Sequence, residues 1–224
     1  MKLIYPVYAI ELPIKENQVT ILSVENPKAF ATILSDLWHQ THGKEGGFLL
    51  SEIDKEKNIA KSIDFIVNPF ELNCNDRKVV TKVYQELSEL AMENMYDETS
   101  KLNEEIIKYI EKLIGYVPYH LDYNLELDLN SLMKSYHVEL TTSPEGLIEQ
   151  IVEYLRVMHQ ICGVEIFAFV SLKQFLSKEE LKMLYEFVFY EKVHLIILEG
   201  KFIEKNESEK CWILDKDLCI IEVD

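Results

Sequence analysis

The sequence predicts an α/β protein: a mostly parallel sheet forms the head, and a long helical segment is inserted into it. Three observations point there. Runs of mainly Ile, Val, Leu and Phe, such as 166–170 and, with His194 as its one polar residue, 193–198, have the texture of strands buried on both faces. Amphipathic stretches separate these runs, as crossover helices do in a doubly covered sheet. Between Asp76 and Gly115 some forty residues mix charged and apolar side chains with no Gly or Pro between those two ends, as long helices require.

The elements follow in order. Leu3-Ile4-Tyr5, Val7-Tyr8-Ala9-Ile10 and Val19 to Val24 read as two or three strands, with Pro13 among them. Asn26-Pro27 opens a helix with Pro at its first position, and Phe30, Ile33, Leu34, Leu37 and Trp38 recur at helical spacing until Gly43, Gly46 and Gly47 close it in a loop. Phe48 to Leu50 and Ile63 to Val67 are strand candidates, the second stopped by Asn68-Pro69. In the inserted segment, Val79, Val80, Val83, Leu87, Leu90 and Ala91 mark one apolar face; Leu102, Ile106, Ile107, Ile110, Leu113 and Ile114 mark another. A break over 94–100 is expected between two antiparallel helices.

After Pro118 the period becomes two. Leu121, Tyr123, Leu125, Leu127 and Leu129 alternate with Asp122, Asn124, Glu126, Asp128 and Asn130, which predicts a strand with one carboxylate-rich face. A short helix from about Ser131, a strand Val138 to Leu140, a helix opened by Ser143-Pro144-Glu145 and a strand Val164 to Val170 follow. A helix then runs from Ser177, with Glu180 three residues on as in a capping box, to about Tyr190. Strands 193–198, 211–214 and 218–223 complete the chain. The expected organisation is a discontinuous head of residues 1–68 and 131–224 interrupted by a helical extension over 69–130.

Charge and motifs then narrow the function. In 224 residues, 39 acidic against 23 basic side chains leave a net charge of −16, which disfavours a uniformly basic nucleic-acid binder or a membrane-surface protein. Any polyanion needs a local basic surface. Of the cations 21 are Lys, with Arg77 and Arg156 the two Arg, so binding to DNA is expected to be salt-sensitive and nearly blind to sequence. Four cysteines without a CxxC pair fit a reduced cytoplasm, and no segment approaches the length of a membrane span.

The turn Ser23-Val24-Glu25-Asn26-Pro27-Lys28 lacks the glycines and free amides of a phosphate loop, and no strand ends in paired acids. His39 and His42 form an HxxH without further zinc ligands and are expected at a solvated helix end. His159, in an apolar helix, is expected to be a hydrogen-bonded structural imidazole. Asp122, Glu126 and Asp128, with Asn124 among them, offer oxygen ligands of the kind Ca2+ takes, or else a solvated strand face.

Residues, not composition, suggest a family. Leu113-Ile114-Gly115-Tyr116, Val138-Glu139-Leu140-Thr141-Thr142-Ser143 and the block from Ile151 to Asp215 resemble the short-form CRISPR-associated adaptation protein of type II-A systems. In that block Val157-Met158-His159, Ile166 to Val170, Leu176-Ser177-Lys178-Glu179-Glu180, Val193 to Glu199 and Trp212-Ile213-Leu214-Asp215 keep the family's order and spacing.

The resemblance implies a head related to P-loop ATPases without their catalytic motifs, a long helical leg, and no enzymatic activity. It implies a cytoplasmic homotetrameric ring that threads linear double-stranded DNA through a Lys-lined hole, binds Ca2+, and works with the spacer integrase and the RNA-guided effector nuclease in spacer acquisition. Lys134 matches a basic residue of the channel side, with Lys28 and Arg156 as further DNA-binding candidates. Asp122, Glu126 and Asp128 fall in the family's acidic segment as the calcium candidates, where Asn124 replaces an Asp of a relative. Two other readings stay open: an atypical nucleotide hydrolase, and an acidic scaffold for basic partners.

Overall fold

The computed structural model describes residues 1–53, 55–141 and 144–223. In chain order the elements are β1 (Lys2–Tyr5), β2 (Ile10–Pro13), β3 (Val19–Val24), α1 (Pro27–Thr41), β4 (Leu49–Glu52), β5 (Lys55–Lys57), α2 (Ile59–Ser62) and β6 (Ile63–Ile66). Then come α3 (Arg77–Asn94), α4 (Tyr96–Ile114), α5 (Leu129–Ser135), α6 (Leu147–Cys162), β7 (Ile166–Val170), α7 (Lys178–Tyr190), β8 (His194–Glu199), β9 (Glu209–Leu214) and β10 (Ile220–Val223). Two compact units result: Met1–Cys74 with Thr142–Asp224, and Asn75–Thr141.

The first unit is α/β, as expected. Its main sheet has the order β10-β9-β3-β8-β7-β6, and every pairing is parallel except β10 with β9. Strand β3 lies between β8 and β9 and is buried at all six positions, in keeping with its lack of charged residues and of a strict apolar–polar alternation; its Thr20 and Ser23 are buried polar residues. A second, antiparallel sheet of order β2-β1-β4-β5 was not foreseen as a separate layer. Its edge strand β5 reads Lys-Glu-Lys, a charged edge that discourages further pairing and gives no hydrophobic signal.

One face of the main sheet packs on α1 and on the small sheet. Leu22, Val24, Ile196, Leu198 and Trp212 meet Ile33 and Leu37 of α1 and Leu3, Tyr5, Leu12 and Leu50 of the small sheet in one core. Asn26 starts α1 by accepting from the amides of Lys28 and Ala29 at 3.1 and 3.2 Å, with Pro27 at the first helical position. The other face carries α6 and α7, tied down by Tyr154 Oη donating to Asp64 at 2.8 Å and Tyr185 Oη donating to Glu209 at 2.6 Å. The capping box of Ser177 and Glu180 forms as read, and Gly163, at φ +70°, ends α6 in the left-handed turn that favours glycine. His159 is structural, its Nδ1 donating to the carbonyl of Val164 at 2.8 Å.

Beneath α7 lies a buried polar cluster that sequence reading did not anticipate. Lys173 and Glu209 form an ion pair at 2.9 Å with side chains only 5% and 0% exposed. Asn206 adds its backbone amide at 2.8 Å and its side-chain amide at 3.0 Å to the same carboxylate, and Lys173 also donates to the carbonyl of Glu204 at 2.9 Å. The β8–β9 loop is thereby fastened to the turn after β7. Glu199, fully buried, accepts from the Lys173 amide, while its Oε2 has no hydrogen-bond partner among the described residues. Burial, which penalises the charged form, holds its carboxyl above the usual carboxylate range.

The second unit is helical and departs from expectation in its connections. A single residue, Met95, separates α3 from α4, shorter than the two to five residues an antiparallel helix hairpin needs, so no loop over 94–100 exists. The alternating segment before Asn130 is not a strand. It is irregular chain, with Asn103 of α4 donating to the Leu125 carbonyl at 2.9 Å and Tyr123 donating to Glu111 at 2.8 Å. Among the described residues this unit has no strand to pair with, and Leu121 and Leu125 of the alternating set are 51% and 61% exposed, so the alternation does not bury one face. The expected strand 138–140 is likewise irregular.

The expected helix start at Ser143 lies partly outside the described residues; α6 begins at Leu147 with Gly146 as its cap. Ser88 bonds Asn130 at 3.0 Å, Tyr84 bonds the Val138 carbonyl at 3.0 Å, and Asn75 bonds Leu140. These bonds place α5 and its following turn in the helical unit, whereas the sequence reading began the returning head at 131.

Removing one partner of a buried ion pair costs about 3–5 kcal/mol, so Lys173→Met should lower unfolding stability by that order in urea titration. Because the Glu199 pKa is raised on folding, the folded state binds more protons than the unfolded, and stability falls as pH rises above the ordinary carboxylate range. Glu199→Gln should remove this fall; an unchanged pH profile of the melting temperature would contradict the assignment.

Candidate nucleic-acid interface

Open α/β sheets bind ligands at the carboxyl ends of their parallel strands, where helix N-termini present free amides. Here the turn after β3 has spent its donors. The amide of Glu25 bonds the Leu214 carbonyl at 2.8 Å, those of Lys28 and Ala29 go to Asn26 Oδ1, and Pro27 has none. The Asn26 side-chain amide donates to the Lys216 carbonyl at 3.2 Å and ties this turn to the one after β9. At the end of β8, a Cβ on Gly200 would meet the Phe30 ring at 3.4 Å. No amide cradle for a phosphate is left at this turn, as its sequence predicted.

Two of the three predicted DNA-contacting cations, Lys28 and Arg156, lie on opposite sides of the main sheet of the first unit, and the third, Lys134, belongs to the second unit. Lys28 is exposed in the first turn of α1, on one side of the main sheet. Arg156 belongs to α6 on the opposite side and is engaged there: its guanidinium lies 5.3 Å from the Phe187 ring centre and 3.9 Å from Glu191 of α7. Lys134 sits in the last turn of α5 in the helical unit, exposed and without an ion pair among the described residues.

Lys134 has neighbours that sequence reading missed. It lines a groove of about 590 Å3 together with Asn75, Arg77, Tyr84, His137 and Glu139. The wall opposite α3 is fixed by hydrogen bonds. Asn75 donates to the Leu140 carbonyl at 2.9 Å and accepts from the Leu140 amide at 2.8 Å, while Tyr84 holds Val138. Three basic side chains thus face one groove that contains a single acid, on a chain of net charge −16. Some sixty residues of sequence separate Arg77 from His137, and only the rarity of arginine marked the first of them.

The calcium candidates do not assemble within one chain. Asp122, Glu126 and Asp128 are all exposed on the irregular segment, not on one strand face. Asp128 caps α5, accepting from the amide of Asn130 at 3.0 Å and from the Ser131 hydroxyl, and these bonds hold its carboxyl below the usual range. Asn124 is used in its own turn, accepting from the Glu126 amide at 3.2 Å. Among the described residues no three His, Cys, Asp or Glu side chains gather as a metal ion requires. Asp122, Glu126 and Asp128 thus form no carboxylate cluster among the described residues of one chain. His39 and His42 are also bound locally, His42 stacking on Trp38 with ring centres 4.3 Å apart.

Fold and site together define a mixed α/β protein with a helical insertion, a closed strand-end turn and a basic groove on the insertion. The chain belongs to the CRISPR-associated protein family Cas_Csn2, which matches residues 40–218. The family resemblance read from the sequence is borne out. No curated protein matches. Among solved structures, an ATP-binding protein of Pyrococcus furiosus, provisionally assigned as an ABC transporter, is 12% identical over 91% of this chain and 88% of its own, with a TM-score of 0.39, a likeness too loose to assign anything. No helix among the described residues is long and apolar enough to cross a membrane.

Because two bonds of one side chain fix the groove wall, Asn75→Ala should cost about 1–3 kcal/mol of stability. Amide hydrogen exchange at Leu140 should accelerate with it; unchanged exchange would mean that the wall is held by other contacts.

Proposed function

We propose that this CRISPR-associated protein is non-enzymatic and supports spacer acquisition by holding linear double-stranded DNA within a homotetrameric ring. The observation that carries the reading is the groove at Lys134, which brings Arg77 and Lys134, without ion pairs among the described residues, together on a strongly acidic chain. Placed four times around a ring, such grooves would make a concave positive surface inside an anionic exterior, and a concave surface focuses the field on a polyanion. Lysine-dominated contacts to phosphates position a duplex without reading its bases.

The helical unit supports self-association. Helix α4 has no buried residue, and Leu102 and Leu113 of its expected apolar face are 44% and 55% exposed, with Leu87 and Leu90 of α3 also exposed. An amphipathic helix gains most of its stability from burying that face, and a second copy of the chain is the partner this reading supplies. The closed turn after β3 is consistent with the absence of nucleotide chemistry. The spacer integrase and the RNA-guided effector nuclease are the protein partners in this reading, with cytoplasmic action.

The reading is tested by comparing linear and covalently closed circular DNA of one sequence in a gel shift. Binding to the linear form alone is expected, and equal binding to both would contradict threading. Lys134→Glu should weaken binding to linear duplexes at least tenfold whatever their sequence; unchanged affinity would remove Lys134 from the interface.

A further inference from the structure

The cations of the helical unit are not equivalent, and one of them is chemically unusual for this chain. Arg77 and Arg156 are the two arginines. Arg156 is spent on Phe187 and Glu191, whereas Arg77 makes no ion pair among the described residues and faces the groove. A planar guanidinium fork matches two oxygens of a phosphate at once, which an ammonium does not.

Arg77 is the first residue of an 18-residue helix whose N-terminus is already capped by Asp76, accepting from the Lys78 amide at 3.0 Å, so attraction of an anion to the groove rests on its side chains. Across the groove His137 adopts φ +50°, a left-handed conformation uncommon for a residue with a side chain. Its amide donates to the Lys134 carbonyl at 3.2 Å at the end of α5, and both residues line the groove. The groove is therefore anchored by Asn75 and Tyr84, entered by three cationic or protonatable groups from two elements, and opposed by Glu139 alone.

We propose that Arg77 and His137 complete, with Lys134, a phosphate-binding groove for nucleic-acid phosphate, with Arg77 as its bidentate contact. The inference rests on the duplex-binding reading above and deepens it. The phosphate has two possible sources, the terminal monoester at a 5′ end and an internal diester of the backbone, and the chemistry of recognition is common to both.

The test measures the affinity of the full-length protein for three ligands: a linear duplex with 5′-phosphates, the same duplex with 5′-hydroxyls, and inorganic phosphate. Arg77→Gln keeps a good helix former in the first turn of α3, and His137→Asn suits the left-handed backbone, so both variants should melt like the parent protein. Each should weaken duplex binding about tenfold, with Arg77→Lys in between because charge is kept and the fork is lost. Loss confined to the 5′-phosphorylated duplex supports the groove and identifies the terminal monoester; equal loss on both duplexes supports it and identifies the diester.

Parental affinity in both Arg77→Gln and His137→Asn, while Lys134→Glu loses binding, overturns the groove and leaves duplex binding standing. If the parent protein binds no duplex yet binds inorganic phosphate in a manner abolished by Arg77→Gln, the groove stands and the duplex reading falls. If it binds none of the three ligands, both fall.

Discussion

The side chain of Asn26 sets the terms for the rest of this protein. Its Oδ1 takes the first two free amides of α1 and its Nδ2 reaches the turn after β9, so the strand end where an α/β sheet usually receives a ligand is closed by the protein itself. Pro27 removes a further donor, and the buried acid Glu199 ends the neighbouring strand. A sheet so closed remains a rigid support. In the helical insertion Arg77 and Lys134, without ion pairs among the described residues, line a groove, and Leu87, Leu90, Leu102 and Leu113 are exposed.

Burial explains the division of labour between the two units. In the α/β unit every residue of β3 is buried and both faces of its sheet are covered, so stability comes from packing, with the Lys173–Glu209 pair fastening the β8–β9 loop. In the helical unit only Val79 of α3 and no residue of α4 or α5 is buried. Propensity alone holds long helices weakly. Self-association and duplex binding, as proposed above, would complete such a unit from outside; the family match itself shows a CRISPR-associated protein.

Legibility in the sequence followed the strength of the local signal. The parallel strands, the Asn26-Pro27 start of α1 and the Ser177–Glu180 capping box were readable because each is a short pattern with one physical meaning. The segment from Leu121 does not form the expected strand because alternation alone supplies no partner strand, and Leu121 and Leu125 stay exposed. The charged edge β5 carries no apolar pattern at all. Lys134 was singled out by family position, but its groove was not legible, since Asn75 and Leu140 are joined by hydrogen bonds across 65 positions of sequence. The Lys173, Glu199 and Glu209 cluster stayed hidden for the same reason.

The central claim is that an acidic protein meets nucleic acid through phosphates, by way of a few converged cations. The most direct measurement is the dissociation constant for one linear duplex and for a second of scrambled sequence, followed from 50 to 200 mM salt. The account predicts equal affinities for the two sequences and a loss of about a thousandfold across that range, as expected when several phosphates are neutralised. Affinity that differs by sequence and holds steady with salt would contradict it.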